Sequence, residues 1–383
     1  MGNPALVYGA VWGGGLLLYF FNATSNLVPI SYTGLGLILL NILSMAFLCI
    51  VLAVGRKNGS VTCQQVMVYE HSARVYMRTL LAIWFLGTLF EIYVQRGFPL
   101  YWKFIGDGRI YTDFGIPSFH GVMNAMYLQA VTALAYLYFV KPRKLYIYIL
   151  ILLLFWPVLM LGRGILLSAL IQIVAVYFMM RRLRWSALIF LFFSAIGAVF
   201  LFGYVGDLRQ SENPFFHLVR PEYVDFFSSL PSGFLWFYVY LTSGLSNLFY
   251  NVDVLQPAYA FDHTFYNLLP NALKLWMGLE QRKDLFLLVD DGLNASTFYA
   301  AYISDFGIIG AFFIVFFVQL CCCIAYSVAR SGRPWGILAY AVALQVLMFS
   351  VFYDLFFILP VLMQFFLALT YFLFSSFRIA RRG

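Results

Sequence analysis

Residues 141–184 read KPRKLYIYILILLLFWPVLMLGRGILLSALIQIVAVYFMMRRLR. Two apolar runs, 145–161 and 165–180, are separated only by Gly162-Arg163-Gly164. Lys141, Arg143 and Lys144 precede the first run, and Arg181, Arg182 and Arg184 follow the second. A helix needs roughly 20 mostly apolar residues to cross a bilayer. The stretch therefore reads as a hairpin of two spans, and the shorter second run is expected to extend into its flanks. Short basic clusters mark the cytoplasmic side of a membrane protein. Both ends of the hairpin are then cytoplasmic, and Arg163 faces the other side.

The same pattern repeats outward in both directions. Further apolar runs occupy 6–21, 34–54, 80–94, 122–140, 185–205, 298–328, 335–352 and 356–377. The run 80–94 is short, and 298–328 is long enough to begin outside the bilayer. Basic clusters recur at Arg56 and Lys57, at Arg330 and Arg333, and at Arg378, Arg381 and Arg382. Hydrophobic residues make up 63% of the chain and charged residues 10%. A soluble domain would carry about 25% charged residues, so that class is excluded. The fold expected is an all-α polytopic membrane protein of about ten transmembrane helices. Residues 1–383 form one integral membrane domain with both termini cytoplasmic. The first run lacks a basic flank, so it is expected to be retained rather than cleaved.

This topology leaves nine of the 24 basic residues outside: Arg96, Lys103, Arg109, Arg163, Arg209, Arg220, Lys274, Arg282 and Lys283. They run against the usual bias, which suggests a working outer face. Fifteen of the 16 acids join them there. The net charge of +8 follows from orientation and implies no nucleic acid. The largest outer connection is 206–297. Within it, 234–250 is apolar but interrupted by Thr242, Ser243, Gly244, Ser246 and Asn247. No return span follows, so this segment is expected to be an interfacial or re-entrant helix. Irregular backbone at that depth is tolerated where protein or a watery cavity covers it.

Arg163, with glycine on both sides, suits bidentate contacts to phosphate. The alternative is an arginine that snorkels at a span end. Arg209, in Gly206-Asp207-Leu208-Arg209-Gln210, and Arg220, before Glu222, would complete a diphosphate-binding set. Salt bridges within the loop are the competing explanation. Candidate general bases are His217, His263 and His120, and the acids Asp207, Glu222, Asp225, Asp290, Asp291 and Asp305. Asp305 is notable because an acid in an apolar run is costly and usually functional. Tyr238 and Tyr240 could stack on sugar rings, although aromatic belts at membrane interfaces are routine. The five cysteines, Cys49, Cys63, Cys321, Cys322 and Cys323, imply neither a disulfide framework nor a metal site. Asn22-Ala-Thr24 and Asn294-Ala-Ser296 match glycosylation sequons, a pattern common by chance. Charged residues are nearly absent mid-span, where Gln172, Gln319 and Gln345 are neutral. That argues against a proton-coupled transporter.

Tyr238-Val-Tyr-Leu-Thr-Ser-Gly-Leu-Ser-Asn247 is similar to the tyrosine/glycine segment in the large loop of oligosaccharide repeat-unit polymerases. Phe298-Tyr-Ala-Ala-Tyr-Ile-Ser-Asp-Phe-Gly307-Ile-Ile-Gly310 resembles their following span, with its acid–Phe–Gly turn. With the span number, the glycine-flanked arginine and one dominant outer loop, the chain resembles the Wzy-type O-antigen polymerases. The resemblance implies a metal-independent, inverting glycosyltransferase of the GT-C type in a bacterial inner membrane, with no cofactor. Such enzymes join undecaprenyl-diphosphate-linked repeat units on the periplasmic face, in lipopolysaccharide biosynthesis. It implies Arg163 and Arg209 as diphosphate ligands, with Arg220 a weaker match. Membrane lipid, a chain-length regulator and a flippase are the implied partners. The related O-antigen ligases, and lipid-linked oligosaccharide flippases, are the alternatives.

Overall fold

The computed structural model of the chain describes residues 2–54, 63–181, 185–210, 213–261, 263–279, 287–290 and 292–380, some helix-end side chains excepted. Among the described residues there are helices and turns but no strand. The helices are α1 (Pro4–Phe20), α2 (Tyr32–Val54), α3 (Cys63–Gln95), α4 (Pro99–Ile105), α5 (Phe119–Val140), α6 (Lys144–Leu159) and α7 (Arg163–Met180). They continue with α8 (Trp185–Gln210), α9 (Val224–Ser228), α10 (Ser232–Val254), α11 (Asn271–Met277), α12 (Tyr299–Arg330), α13 (Pro334–Phe349) and α14 (Leu359–Ala380).

Six described helical stretches are long and apolar enough to cross a membrane: Pro4–Phe21, Tyr32–Leu52, Tyr69–Ile105, Phe119–Val140, Arg163–Met180 and Tyr299–Arg330. Lys144–Leu159, Phe192–Asp207, Pro334–Phe349 and Leu359–Leu373 are shorter apolar helices. Exposed apolar side chains line up as stripes, such as Ile309, Phe313 and Phe317 on α12. Spacing of four puts them on one face, as expected where the surrounding solvent is lipid.

At the centre of the bundle, α13 is buried on nearly every side against α12, α7 and α14. Several mid-bundle amides join helices. Gln172 on α7 donates to Gln345 on α13 and, at 2.7 Å, to Gln364 on α14. Thr132 on α5 donates to Gln172, and Gln345 donates to Ser168 at 2.8 Å. Gln319 on α12 reaches the Asn41 carbonyl of α2 at 2.8 Å. A buried polar group in an apolar bundle needs such a partner, and so fixes helix register.

The run 80–94 extends backward into α3, as its shortness leads us to expect, and Glu70 pairs with Arg74 one turn away and lies 4.0 Å from Lys141. Two other boundaries refine the sequence reading. Gly206 to Gln210 form the last turn of α8 rather than the start of a loop. The run 298–328 bends at Gly307, whose φ of 67° and ψ of −174° are open to glycine alone.

The segment 234–250 lies inside one continuous helix, α10. Its polar residues bind backbone. Ala23 N–H donates to Tyr238 Oη, Ser246 Oγ donates to the Asn26 carbonyl, and Ser31 donates to Asp253. Residues 23–31 join the end of α1 to the start of α2. A helix bonded to them from Tyr238 to Asp253 therefore packs along that connection, and also against α1 and α2. Asn247 and Asn251 fasten the far side, bonding backbone at Leu293, Ala295 and Leu287. Two of the interruptions that break the apolar pattern, Ser246 and Asn247, thus hold connections onto α10, while Thr242 bonds back to its own helix.

Candidate functional site

α7 begins at Arg163, and three residues, 160–162, separate it from the end of α6. The half-buried guanidinium donates from one Nη to the Phe202 carbonyl of α8 at 3.3 Å. Its carbon lies 4.3 Å from the Phe202 ring centre, 4.8 Å from Trp236 and 5.9 Å from Tyr240. Phe215 closes the cage, 4.7 Å from Trp236 and 6.0 Å from Tyr240. Each cation–π contact contributes about 0.5–2 kcal/mol, depending on desolvation. Gly206 makes the approach possible, since a Cβ there would stand 2.8 Å from an Arg163 Nη and 2.7 Å from the Trp236 ring.

Asp207 locks this arrangement. One carboxylate oxygen accepts the Trp236 indole N–H at 2.8 Å, and the other accepts the Ser232 hydroxyl. Three helices, α7, α8 and α10, thereby converge on one cation. Beside it runs a groove lined by Pro157, Leu161, Leu166, Leu170, Ala198 and Phe202. The groove is apolar, and Arg163 stands on its wall.

The sequence candidates fall in several places. Arg163, Tyr240 and Asp207 meet at the cage. Arg209 belongs to the last turn of α8, but its side chain lies outside the described residues. Arg220 and Tyr238 instead hold the 23–25 connection. Arg220 Nε donates to the Thr24 carbonyl at 3.2 Å, and Tyr238 Oη accepts the Ala23 N–H at 2.8 Å. Burial raises the Tyr238 phenol above its ordinary pKa, which suits a structural role. His217 and Glu222 are exposed on the single-turn helices 216–218 and 221–223, just beyond Phe215.

Asp305 is fully buried, and its carboxylate accepts the backbone N–H groups of His263 at 3.2 Å and Thr264 at 2.7 Å. It fastens the 255–268 connection to α12 at the Gly307 bend. His120 pairs at 3.1 Å with Glu91, whose side chain is 1% exposed and also accepts the Ile116 N–H. That pair folds 96–120 back onto α3. Asp225 is exposed, Asp290 caps its own turn at Gly292, and Asp291 lies outside the described residues. Among the described residues, no three His, Cys, Asp or Glu side chains cluster as a metal site would require.

Sequence reasoning missed the cage rings Trp236, Phe202 and Phe215. The abundance of aromatics gave no reason to single them out. It also missed Tyr353 and Asp354, in the turn between α13 and α14. The signal was present, since Asp354 is the one acid between 335 and 377. In comparisons with known proteins, no family model, curated protein or solved structure matches this chain.

Proposed function

We propose that the chain is a glycosyltransferase that polymerises undecaprenyl-diphosphate-linked oligosaccharide repeat units, for O-antigen or a related surface polysaccharide. In this reading it crosses the bacterial inner membrane ten times, with both termini in the cytoplasm and 211–297 in the periplasm. The observation that carries the reading is Arg163, held by Phe202, Trp236 and Tyr240 on the wall of an apolar groove. A diphosphate suits the arginine, and the apolar wall beside it faces the side from which a lipid-linked substrate would approach. Bonding between a guanidinium and phosphate is charge-assisted, and a cation already oriented by rings needs little reorganisation as charge develops.

In the proposed reaction the growing glycan leaves its lipid diphosphate and is transferred to the non-reducing end of a new unit. Arg163, with Arg209 from the end of α8, would stabilise the departing diphosphate. Tyr240 would flank the sugar next to it. Gln172, Gln319 and Gln345 are engaged between helices, which counts against the flippase alternative. The test is deletion of the gene followed by lipopolysaccharide electrophoresis. Loss of the long-chain ladder with one repeat retained supports a polymerase. Loss of even that repeat would point to a ligase or flippase and overturn the proposal.

A further inference from the structure

We infer that Asp354 is the catalytic residue that takes the proton from the acceptor sugar hydroxyl, a step that rests on the polymerase reading above. The turn that carries it is wedged between the same elements that build the Arg163 cage. Tyr353 Oη lies 3.6 Å from where a Cβ on Gly164 would stand, next to Arg163. The Val351 carbonyl lies 2.7 Å from where a Cβ on Gly244 would stand, one helical turn from Tyr240. Thr297 pairs with Tyr353 from the other side. The 350–355 turn thus lies at the Arg163 end of the bundle.

The Asp354 carboxylate is built to accept. One oxygen takes the Phe356 N–H at 2.8 Å, which fixes its orientation. The buried Tyr302 hydroxyl approaches the carboxylate but falls short of hydrogen-bond geometry. Tyr302 is the titratable side chain that faces it among the described residues. The other buried or half-buried acids named above are more fully engaged. Asp207 holds Ser232 and Trp236, Asp305 holds two amides, and Glu91 holds His120 and Ile116. Asp354 remains half-buried, so it is partly shielded from water and still reachable. That burial pushes its carboxyl up to about 6, close to the pH at which a base works efficiently.

The step balances. The acceptor hydroxyl oxygen forms a bond to the donor's anomeric carbon, and the bond from that carbon to the diphosphate oxygen breaks. The electron pair leaves on the diphosphate, whose charge Arg163 stabilises. The hydroxyl proton passes to Asp354 and then to water. Inversion requires nucleophile and leaving group on opposite faces of the sugar. Base and cation should therefore come from different elements, and Asp354 and Arg163 do, with Tyr353 beside Gly164 between them. The ligand assigned to the Asp354 side is the non-reducing terminal sugar of the incoming lipid-linked unit.

The test uses the full chain in lipid nanodiscs. Polymerisation is followed with undecaprenyl-diphosphate-linked repeat units extracted from the source strain, and undecaprenyl diphosphate binding is measured in parallel. Asp354→Asn is expected to polymerise on the order of 10²-fold more slowly with diphosphate binding unchanged, and Asp354→Glu to keep a measurable rate. The wild-type rate should rise with pH through about 6, and the variant's residual rate should not. Asp354→Asn polymerising within about threefold of wild type, or keeping the pH profile, would remove Asp354 as base and leave the polymerase reading standing. Loss of diphosphate binding in Asp354→Asn would make the residue structural and also overturn the inference. A wild-type protein that binds undecaprenyl diphosphate but makes no polymer would overturn the polymerase reading, and the base with it.

Discussion

The Arg163 guanidinium stands 4.8 Å from the Trp236 ring, and the same ring donates its N–H to Asp207 at 2.8 Å. One indole therefore couples the start of α7 to the end of α8 through α10. Its face orients the cation and its edge satisfies the acid. Phe202 and Tyr240 add ring faces but no second bond to Asp207, so Trp236 is the joint of the cage.

Replacing that joint separates its two roles. Trp236→Phe keeps a ring beside Arg163 but leaves one Asp207 oxygen without its donor, which typically costs about 1–3 kcal/mol. Thermal melting in detergent should fall, and polymer output should drop less than in Trp236→Ala, which also empties a fully buried site. If Trp236→Ala melts with wild type and makes wild-type ladders, the cage has no importance.

The kink in α12 has a separate, purely conformational test. Gly307 has φ 67° and ψ −174°, and a Cβ there would stand 3.3 Å from Pro257. Holding any other residue in this region costs on the order of 1–3 kcal/mol. Gly307→Ala should lower the melting temperature and raise proteolysis of 255–268, whose hold on α12 is Asp305 just before the bend. Equal melting and equal protease resistance would mean that the bend is not maintained in the membrane.

Asp354 also predicts a stability profile that needs no assay of activity. Burial raises its pKa from 3.8 to about 6 in the folded protein. The folded state therefore binds that proton more tightly than the unfolded chain. The resulting stability is fully present below about pH 4 and is lost as pH rises through about 6. Asparagine stays neutral and escapes the cost of burying a charge. Asp354→Asn should thus melt close to wild type near pH 4 and above it at pH 7.5. The ceiling is about 3 kcal/mol, from two pKa units at 1.36 kcal/mol each, and partial exposure lowers it. Identical differences at both pH values would show that the carboxyl is not perturbed.

The helical membrane class was legible in the sequence because every apolar run had to satisfy its backbone within itself. Boundaries were less legible where polar pairs lie inside a helix, as Glu70 and Arg74 do in α3. For α10, the interruptions at Ser246 and Asn247 stood out in the sequence as polar residues in an apolar run. Their partners, residues 26, 28, 289, 293 and 295, are distant in sequence and could not be paired by pattern. Arg163 stood out through charge placed against the bias. Trp236 and Asp354 did not, since one needs α8 beside α10 and the other needs α7 beside the 350–355 turn. Asp305 stood out for the right reason, a buried acid, but its partners are two backbone amides.

The proposed orientation is open to labelling. Position 222 is exposed on the segment assigned to the periplasm, and position 143 is exposed on the side assigned to the cytoplasm. In a variant without its native cysteines, a cysteine at 222 should react with a membrane-impermeant maleimide in spheroplasts. One at 143 should react only after the membrane is opened. The reverse pattern would invert the topology and place Arg163 in the cytoplasm, where no periplasmic transfer could use it.

Arg163 carries the most specific expectation. If it stabilises a departing diphosphate, its removal takes away a contact worth on the order of 3 kcal/mol at the transition state, about 10²-fold in rate. Lysine keeps the charge but not the planar fork, and it cannot lie against Phe202 and Trp236 as a guanidinium does. Polymer output should therefore fall in the order wild type, Arg163→Lys, Arg163→Ala, at equal amounts of folded protein in the membrane. A bland anchoring role gives a different pattern, because lysine snorkels as well as arginine. The decisive comparison is Arg163→Lys, with ladders and undecaprenyl diphosphate binding measured on the same preparation. Wild-type behaviour in both would reduce Arg163 to a charge at the membrane surface and leave the cage without a ligand.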